Sequence, residues 1–348
     1  MHAEPPLAIL GATGYTGRLV VGEARALGLP LRLVGRRRAA LEALARDGDE
    51  VRVADAAHER ELIEAFDGAF AVASTAGPFA KVGTRPIGAA IAVGAHYLDV
   101  SAEQAFTRQV HEGFGDSAEE RGVVLLPSFG FDYVPGDLAA RLAAEGLTEP
   151  LDEVIVAYAS GAIATSRGTR ETMGHVFGQP QVAWEGRLVG SRFGKTTRRV
   201  RFPGGDRTVV EWAGTEPLTV PRHTRVRSVR SYLAAPRAAA LAGYVAPFAA
   251  PLVRLGGKVG GGPSEATRRK ARWTVVAEAR AGSGGQRATL RGADVYGVAA
   301  RLLAVGALAL RDGEVTASGA LAPAEAFDVH ALVPRLAPFV EPPAVERF

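Results

Sequence analysis

A short apolar run near the start of the chain leads directly into three closely spaced glycines. Residues 7–10 (LAIL) are followed by GATGYTG and then by a segment that can form a helix. Glycines in this setting permit a tight turn, a close approach of backbone to a diphosphate, and packing of the helix on the strand. The helix N-terminus would then offer N–H groups and a favourable dipole to phosphates. The pattern predicts a dinucleotide site, the alternative being a strand–helix turn without a ligand, and its candidate residues are Gly11, Thr13, Gly14, Tyr15, Thr16 and Gly17.

The second predicted strand, residues 31–34, ends in Gly35 and three arginines. Enzymes that use NAD usually place Asp or Glu near this position to bind the ribose 2′-hydroxyl. A guanidinium instead suits a 2′-phosphate, by charge and by its forked geometry. We therefore predict NADPH as the cofactor, bound in part by Gly35, Arg36 and Arg37. A solvated helix start explains Arg37 and Arg38 equally well.

Strands and helices alternate as far as about residue 126. Predicted strands at 51–55, 69–74, 96–100 and 123–126 are separated by predicted helices, which indicates a doubly wound parallel sheet. Ligands of such sheets bind at the carboxyl ends of the strands. The cofactor candidates therefore extend to Asp55, Ala76, Gly77, Pro78 and Phe79.

The middle of the chain differs from its flanks in charge and pattern. Residues 151–275 contain 20 Lys and Arg against 8 Asp and Glu, whereas the remainder holds 21 against 29. Predicted strands at 154–158, 207–212, 224–233 and 271–279 follow one another without regular helices, which favours a mixed or antiparallel sheet. We predict an α/β protein with a Rossmann domain at 1–130, an inserted basic α+β domain at 131–318, and a return segment at 319–348 that packs on the N-terminal domain.

The basic strands suggest an anionic partner. On a strand, His223, Arg225 and Arg227 would share one face. Such a face is either simply solvated or attracts an anionic substrate carrier, such as coenzyme A or an acyl carrier protein. No nucleic-acid recognition motif accompanies the charge, so nucleic acid is not an expected partner. Residues 234–257 are apolar but interrupted by prolines, which favours a broken helical segment over stable membrane insertion.

Several kinds of chemistry are excluded or disfavoured. The chain has no cysteine, which excludes thiol nucleophiles and thiolate metal sites. The 7 histidines are scattered without metal-ligand spacing, so no metal site is predicted. A Tyr-x-x-x-Lys proton relay is absent from the sequence. The N-terminal residues show no signal-peptide pattern, and we expect a cytoplasmic protein.

A family resemblance rests on five motifs and two shorter ones. GATGYTG, VGRRRAAL, STAGPF, HYLDVSAE and LLPSFGFDYVPGDLAARLA resemble the saccharopine dehydrogenase-like reductases. GFDYVPGDLA, at 130–139, is similar to the branch that contains trans-acting enoyl reductases and saccharopine dehydrogenase-like oxidoreductases, and so are residues 166–172 and 294–297. The resemblance covers roughly residues 7–145 and is patchy beyond them. It implies a nicotinamide-binding Rossmann domain with an α+β domain inserted before a C-terminal return.

The candidate catalytic residues lie outside the glycine motif. Asp132 and Tyr133 directly follow the sixth predicted strand, where a tyrosine could donate a proton or bind a carbonyl. A capping Asp and a packing Tyr are the alternative interpretation. Arg170 could hold a carboxylate or phosphate, or belong to a loop–helix cap. The resemblance adds Tyr296 as a residue lining the substrate site.

Together these features predict an NADPH-dependent reductase that delivers hydride to a conjugated C=C bond of a small-molecule or thioester-bound substrate. The nearest alternative is a C=N (imine) reductase with amino-acid chemistry of the saccharopine dehydrogenase type. An alternative from another class is a scaffold that binds NADP(H) and senses redox state without turnover. The sequence leaves the oligomeric state open, with a homodimer as one assembly to test.

Overall fold

The computed structural model describes residues 4–161, 180–236, 238–239 and 262–348. Contacts between residues divide the chain into two compact units, each built from separate stretches. The first unit comprises the residues up to 101, 106–131 and 296–321, and the second comprises 102–105, 132–295 and 322–348.

The first half of the chain alternates between strands and helices, with two successive helices between its fourth and fifth strands. Its elements are β1 (Leu7–Leu10), α1 (Tyr15–Ala26), β2 (Leu31–Gly35), α2 (Arg38–Glu42), β3 (Glu50–Val53), α3 (Glu59–Phe66), β4 (Ala71–Ser74), α4 (Phe79–Val82), α5 (Thr84–Val93), β5 (His96–Asp99), α6 (Gln104–Arg121) and β6 (Val124–Leu126).

The second half is richer in strands. Its described elements are α7 (Val134–Ala144), β7 (Leu151–Ser160), β8 (Gln181–Glu185), β9 (Leu188–Ser191), β10 (Thr197–Phe202), β11 (Gly205–Glu211), α8 (Glu216–His223), β12 (Val226–Ala234), α9 (Glu265–Lys270), β13 (Arg272–Ala281), β14 (Gly284–Ala293), α10 (Val295–Arg311), β15 (Gly319–Ala320), α11 (Pro323–Ala326), α12 (Val329–Arg335) and β16 (Ala344–Arg347).

The first unit contains a seven-stranded sheet in the order β15-β6-β5-β4-β1-β2-β3. All its strand pairs are parallel. Strands β1, β2 and β4 are buried along their whole length, as expected for apolar runs covered by helices on both faces. The chain reverses its direction of winding between β1 and β4, and ligands of doubly wound sheets bind at such a point. The predicted Rossmann architecture is confirmed.

The second unit contains a mixed sheet, as predicted. Its main path runs β10-β11-β12-β7-β13-β14-β16, and β8 pairs with β12 and with β9. Strand β7 is parallel to β12 and antiparallel to β13. Helix α7 contributes ten buried residues, which include Asp137.

The division into units differs from the predicted boundaries at the C-terminal end. Residues 296–318, predicted within the inserted domain, belong to the first unit, and so do residues 319–321 of the predicted return segment, where β15 pairs with β6. The return segment was expected to pack on the N-terminal domain from 319 onward. Instead β16 pairs antiparallel with β14 and covers an edge of the second sheet, which satisfies backbone groups that an open edge would leave unpaired.

None of the helices within the described ranges combines the length and apolar character needed to span a bilayer. The predicted broken helical segment at 234–257 lies almost entirely outside the described residues.

Candidate functional site

The loop between β1 and α1 is shaped by glycines that no other residue could replace. Gly11 has a φ of +82°, and a Cβ atom there would lie 2.8 Å from the Oγ1 of Thr75. A Cβ at Gly17 would lie 2.1 Å from the carbonyl oxygen of Gly11. Gly14 is the N-cap of α1, and no side chain caps the helix there. The start of the helix therefore presents bare backbone, which is the cradle that a diphosphate requires.

Thr75 ties the glycine loop to the end of β4. Its backbone N–H donates to the carbonyl of Leu10 at 2.9 Å. Its hydroxyl donates to the carbonyls of Leu10 and Gly11 at 3.1 and 3.3 Å. On the other side, the N–H of Gly11 donates to the carbonyl of Val34 at 2.9 Å. The loop is thus held between the ends of β2 and β4. Thr75 was not among the predicted residues, although it lies within the STAGPF motif.

Arg36 and Asp55 come together at the ends of β2 and β3. The Nη1 of Arg36 lies 4.0 Å from the Oδ2 of Asp55, and the Arg36 side chain is 77% exposed. An exposed ion pair at this distance is weak, so the guanidinium stays available to a ligand. Gly35 is the buried last residue of β2, and Arg37 is the N-cap of α2. The structure places all four predicted residues at one edge of the sheet.

The loop after β4 presents small residues, and Phe79, the last of the predicted cofactor residues in this stretch, anchors the loop. Ala76 and Pro78 are half-buried and Gly77 is exposed. Phe79 is 5% exposed and its ring lies 5.7 Å from that of Phe106, centroid to centroid. Phe79 therefore supports the loop from the core, while the three residues before it face solvent.

Tyr296 lies against the glycine motif. Its ring meets the ring of Tyr15 edge to face, with centroids 5.0 Å apart. Both residues belong to the first unit, and Tyr296 is 8% exposed. Thr13 and Thr16 on the same loop are half-buried. Tyr296, which was predicted from the resemblance alone, is thus in contact with Tyr15, a predicted cofactor residue that lies far from it in sequence.

A buried polar cluster that the sequence reasoning missed lies where β5 and β6 end. The Oδ1 of Asp99 accepts hydrogen bonds from the N–H groups of Ser101 and Ser128, each at 2.8 Å. The Ser128 hydroxyl also bonds the hydroxyls of Ser101, at 2.8 Å, and Thr107, at 2.6 Å. Burial raises the pKa of Asp99, against the lowering effect of these hydrogen bonds. The cluster fixes the two loops that follow β5 and β6, and both loops lie in motifs that carry the family resemblance.

Asp132 and Tyr133 have contrasting surroundings in the second unit. Tyr133 is 2% exposed, its ring lies 6.2 Å from that of Trp212, and its hydroxyl donates to the carbonyl of Ala213 at 3.4 Å. Burial raises the pKa of Tyr133 well above its usual value, so the phenol stays protonated. Asp132 reaches solvent although protein surrounds it closely, and the resulting desolvation raises its pKa to about 6.

A second buried carboxyl, Glu216, was also missed. Glu216 is fully buried at the start of α8 and accepts hydrogen bonds from the hydroxyls of Tyr158 and Ser231. A Cβ at Gly136 would lie 2.2 Å from Glu216 Oε1, and one at Gly214 would lie 2.1 Å from Oε2. The two glycines thus make room for the carboxyl. Burial raises the pKa of Glu216 to about 7, against the lowering effect of the two hydroxyls.

His223 does not share a strand face with Arg225 and Arg227, contrary to the prediction. It is the last residue of α8, and its Nε2 lies 3.0 Å from the Oδ1 of Asp137. Both side chains are buried. Burial favours a higher pKa for Asp137, but the charge and hydrogen bond of His223 prevail and hold that pKa below its usual value. The helix ends at His223, and strand β12 begins only at Val226, two residues later than the strand predicted at 224–233.

Arg170 lies outside the described residues, as does the whole motif at 166–172. Among the residues that the structure describes, no group of three or more His, Asp or Glu is arranged to hold a metal ion.

Comparisons with known proteins agree with the glycine-loop geometry. Residues 11–125 match a family model described as NAD(P)H-binding. The chain is 30% identical over 152 residues to a human saccharopine dehydrogenase-like oxidoreductase, covering 38% of this chain and 35% of that protein. It is 30% identical over 145 residues to a protein assigned as a trans-acting enoyl reductase in Mycobacterium tuberculosis, covering 39% and 34%. A lipid droplet localized protein of Caenorhabditis elegans is 29% identical over 160 residues, covering 42% and 38%.

The matches to these curated relatives span between a third and two fifths of each relative's length. Saccharopine dehydrogenase (L-Glu forming) from Saccharomyces cerevisiae aligns over 98% of this chain and 100% of its own, with a TM-score of 0.62 and 12% identity. That likeness establishes a shared fold. The chain is thus related to the saccharopine dehydrogenase-like proteins, as the motifs indicated, and its residues 11–125 match a family described as NAD(P)H-binding.

Proposed function

We propose that this protein is an NADPH-dependent oxidoreductase that reduces a conjugated C=C bond of a small-molecule or thioester-bound substrate. The observation that carries the choice of cofactor is Arg36, an exposed guanidinium at the end of β2. In a sheet of this topology the residue after the second strand meets the adenosine ribose. A guanidinium there favours a 2′-phosphate over a bare hydroxyl.

The described residues fit the diphosphate and the adenosine 2′-phosphate of the cofactor. Bare backbone at Gly11, Gly14 and Gly17 suits the diphosphate, and Arg36 suits the 2′-phosphate. When bound, the cofactor supplies the hydride. The chain's own residues then hold it in place, with Thr75 fixing the loop that meets the diphosphate.

Reduction of a C=C bond also requires a proton, and Asp132 is the group we assign to hold it. The carboxyl is reachable from solvent and its pKa of about 6 leaves part of the population protonated near neutral pH. Tyr133 beside it stays protonated, and its buried hydroxyl donates to the carbonyl of Ala213, which fits the packing role weighed for this tyrosine. The 30% identity with a protein assigned as a trans-acting enoyl reductase supports C=C chemistry. The equal identity with a saccharopine dehydrogenase-like oxidoreductase keeps C=N chemistry as the alternative.

Titration of NADPH and NADH, followed by nucleotide fluorescence, tests the proposed cofactor. Loss of a charge-assisted contact costs about 1.5–3 kcal/mol. The variant Arg36→Ala should therefore bind NADPH about 10- to 100-fold more weakly, with NADH binding nearly unchanged. Arg38→Ala is the matched control, because Arg38 is also exposed and pairs with Glu42 within α2.

Equal affinity for the two nucleotides, or equal weakening in both variants, would contradict the role of Arg36. Turnover is then measured with NADPH on a panel of enoyl thioesters and imines. If NADPH is oxidised with imines but not with enoyl thioesters, the proposed reaction becomes reduction of a C=N bond. Tight binding without turnover on either class would favour the redox-sensing scaffold.

A further inference from the structure

The second unit contains a cavity of about 500 Å³ where β7 ends and β13 begins. Its volume lies within the range of small-molecule sites in proteins. The lining residues that could bind a ligand come from β7, β11, α9 and the start of β13, and they are Ser160, Arg207, Thr267, Lys270, Arg272 and Trp273.

The cavity gathers positive charge without matching negative charge. Arg207, Lys270 and Arg272 all line it, and no Asp or Glu is present among the described lining residues. Within the described part of the chain neither Arg207 nor Lys270 pairs with a carboxylate, and the Arg207 guanidinium lies 5.6 Å from the ring centroid of Phe202. Arg272 lies 3.6 Å from Glu341, which does not line the cavity. Concentrated charge of one sign in a concave site attracts counter-ions of the opposite sign.

Arginines elsewhere on the same sheet are neutralised by neighbours. Arg198 makes two hydrogen bonds to the carboxylate of Glu153, at 2.7 and 2.5 Å. Arg230 lies 2.9 Å from Glu211, and Arg287 lies 2.7 Å from Glu278. The positive excess of residues 151–275 is therefore not spread evenly over the sheet. Part of it lies around this cavity, where Arg207 and Lys270 have no acidic partner among the described residues and Arg272 has only Glu341.

We propose that this cavity is a second anion site, separate from the glycine loop, that binds a compact organic phosphate bearing more than one phosphate group. The flexible ammonium of Lys270 and the forked guanidinium of Arg207, with no carboxylate among the described lining residues to compete, suit phosphate oxygens. The hydroxyls of Ser160 and Thr267 are further donors. The site is independent of the proposed reduction, since none of its residues belongs to the glycine loop or to the group at Asp132.

Calorimetric titration with adenosine 3′,5′-bisphosphate and with pyrophosphate tests this proposal on the full-length protein. The double variant Arg207→Gln/Lys270→Gln removes two cations from the cavity. Each lost charged contact weakens binding by about tenfold or more, so we expect a loss of about 100-fold. The control Arg187→Gln/Arg225→Gln removes the same charge from two exposed residues that do not line the cavity, and its affinity should change by less than about threefold.

Three outcomes would overturn the proposal. The first is no binding of either phosphate to the unmodified protein at about millimolar concentration. The second is equal weakening in the two double variants, which would show a diffuse charge effect. The third is loss of phosphate binding in Arg36→Ala with the cavity variant unaffected, which would place the phosphates at the glycine loop. NADPH affinity should be unchanged in the cavity variant, so this proposal and the proposed function fail by different measurements.

Discussion

The buried carboxyl of Glu216 makes the stability of the second unit depend on pH in a specific direction. Its pKa is raised from 4.5 to about 7 by burial. In the unfolded chain the carboxyl ionises near 4.5, whereas in the folded protein it keeps its proton until about pH 7. Between these values the unfolded state has released a proton that the folded state retains, so rising pH favours unfolding.

The size of this effect follows from the same two values. Each pKa unit corresponds to about 1.4 kcal/mol. A rise from 4.5 to about 7 therefore lowers the free energy of unfolding by about 3 kcal/mol as the pH increases through that window. Below the window the carboxyl is neutral in both states and contributes nothing to the pH dependence. Above it the full loss is present and no longer changes.

Glu216→Gln is the perturbation that isolates this effect, because it keeps the shape of the side chain and removes the ionisation. Relative to the variant, the free energy of unfolding of the unmodified protein should fall by about 3 kcal/mol between about pH 4.5 and pH 7.5. Urea unfolding followed by tryptophan fluorescence is the assay. All three tryptophans, Trp184, Trp212 and Trp273, lie in the second unit, so the signal reports on that unit.

Glu265→Gln is the control, since Glu265 is exposed on α9 and pairs with Arg269. Its difference from the unmodified protein should stay nearly constant over the same pH range. A constant difference between Glu216→Gln and the unmodified protein would refute the reasoning. It would mean that Glu216 ionises in the folded protein as it does in the unfolded chain.

Two further predictions concern the other features. Gly17→Ala would place a Cβ 2.1 Å from the Gly11 carbonyl oxygen and should abolish nucleotide binding in a fluorescence titration. Gly22→Ala in the same helix is the control, because a Cβ at Gly22 meets open space; this variant should bind nucleotide normally, with its free energy of unfolding raised by about 1 kcal/mol. Asp137→Asn removes the negative charge that faces His223 in the core while keeping an acceptor oxygen, and should lower the free energy of unfolding at neutral pH by about 3 kcal/mol. Because the pKa of Asp137 is lowered, this cost should shrink as acid titrates the unmodified protein, and a cost independent of pH would contradict the ion pair.

The first unit could be predicted closely because its signals are local. An apolar run that enters a glycine turn and then a helix specifies β1 and α1 within a dozen residues. Gly11, with its positive φ, and Gly17, with a carbonyl 2.1 Å from a Cβ position, have no sterically tolerable substitute. Arg36 and Asp55 were found because parallel strands bring their carboxyl ends to one edge. Thr75 was missed because a threonine after a strand is common, and its role depends on two carbonyls 64 and 65 residues away.

Only the fold class of the second unit could be predicted, because the contacts that determine its strand pairing and its buried polar groups join residues far apart in sequence. The spacing of His223, Arg225 and Arg227 suggested that these three residues share one face of a strand. The partner that draws His223 into the core, Asp137, is 86 residues earlier. Likewise β16 was expected on the other unit, since nothing in residues 344–347 shows that β14 has an open edge. Hydropathy patterns specify elements, but they do not specify which elements pair.

Buried polar side chains fix the outlying segments of the second unit to its main body. Residues 102–105 are attached through Gln104, whose side chain accepts from the N–H of Val182 at 2.8 Å and donates to the carbonyls of Val182 and Gly214. The C-terminal stretch is attached through Asp137, which accepts from the N–H of Ala324 at 2.8 Å.

Apolar contacts tolerate small shifts in position, whereas such hydrogen bonds hold only in one register, and a buried amide or carboxylate that loses them is costly. A unit assembled from three separate stretches of chain therefore uses its buried polar groups to specify how those stretches align. This accounts for the position of Gln104 and Asp137 inside a core that apolar residues would otherwise fill.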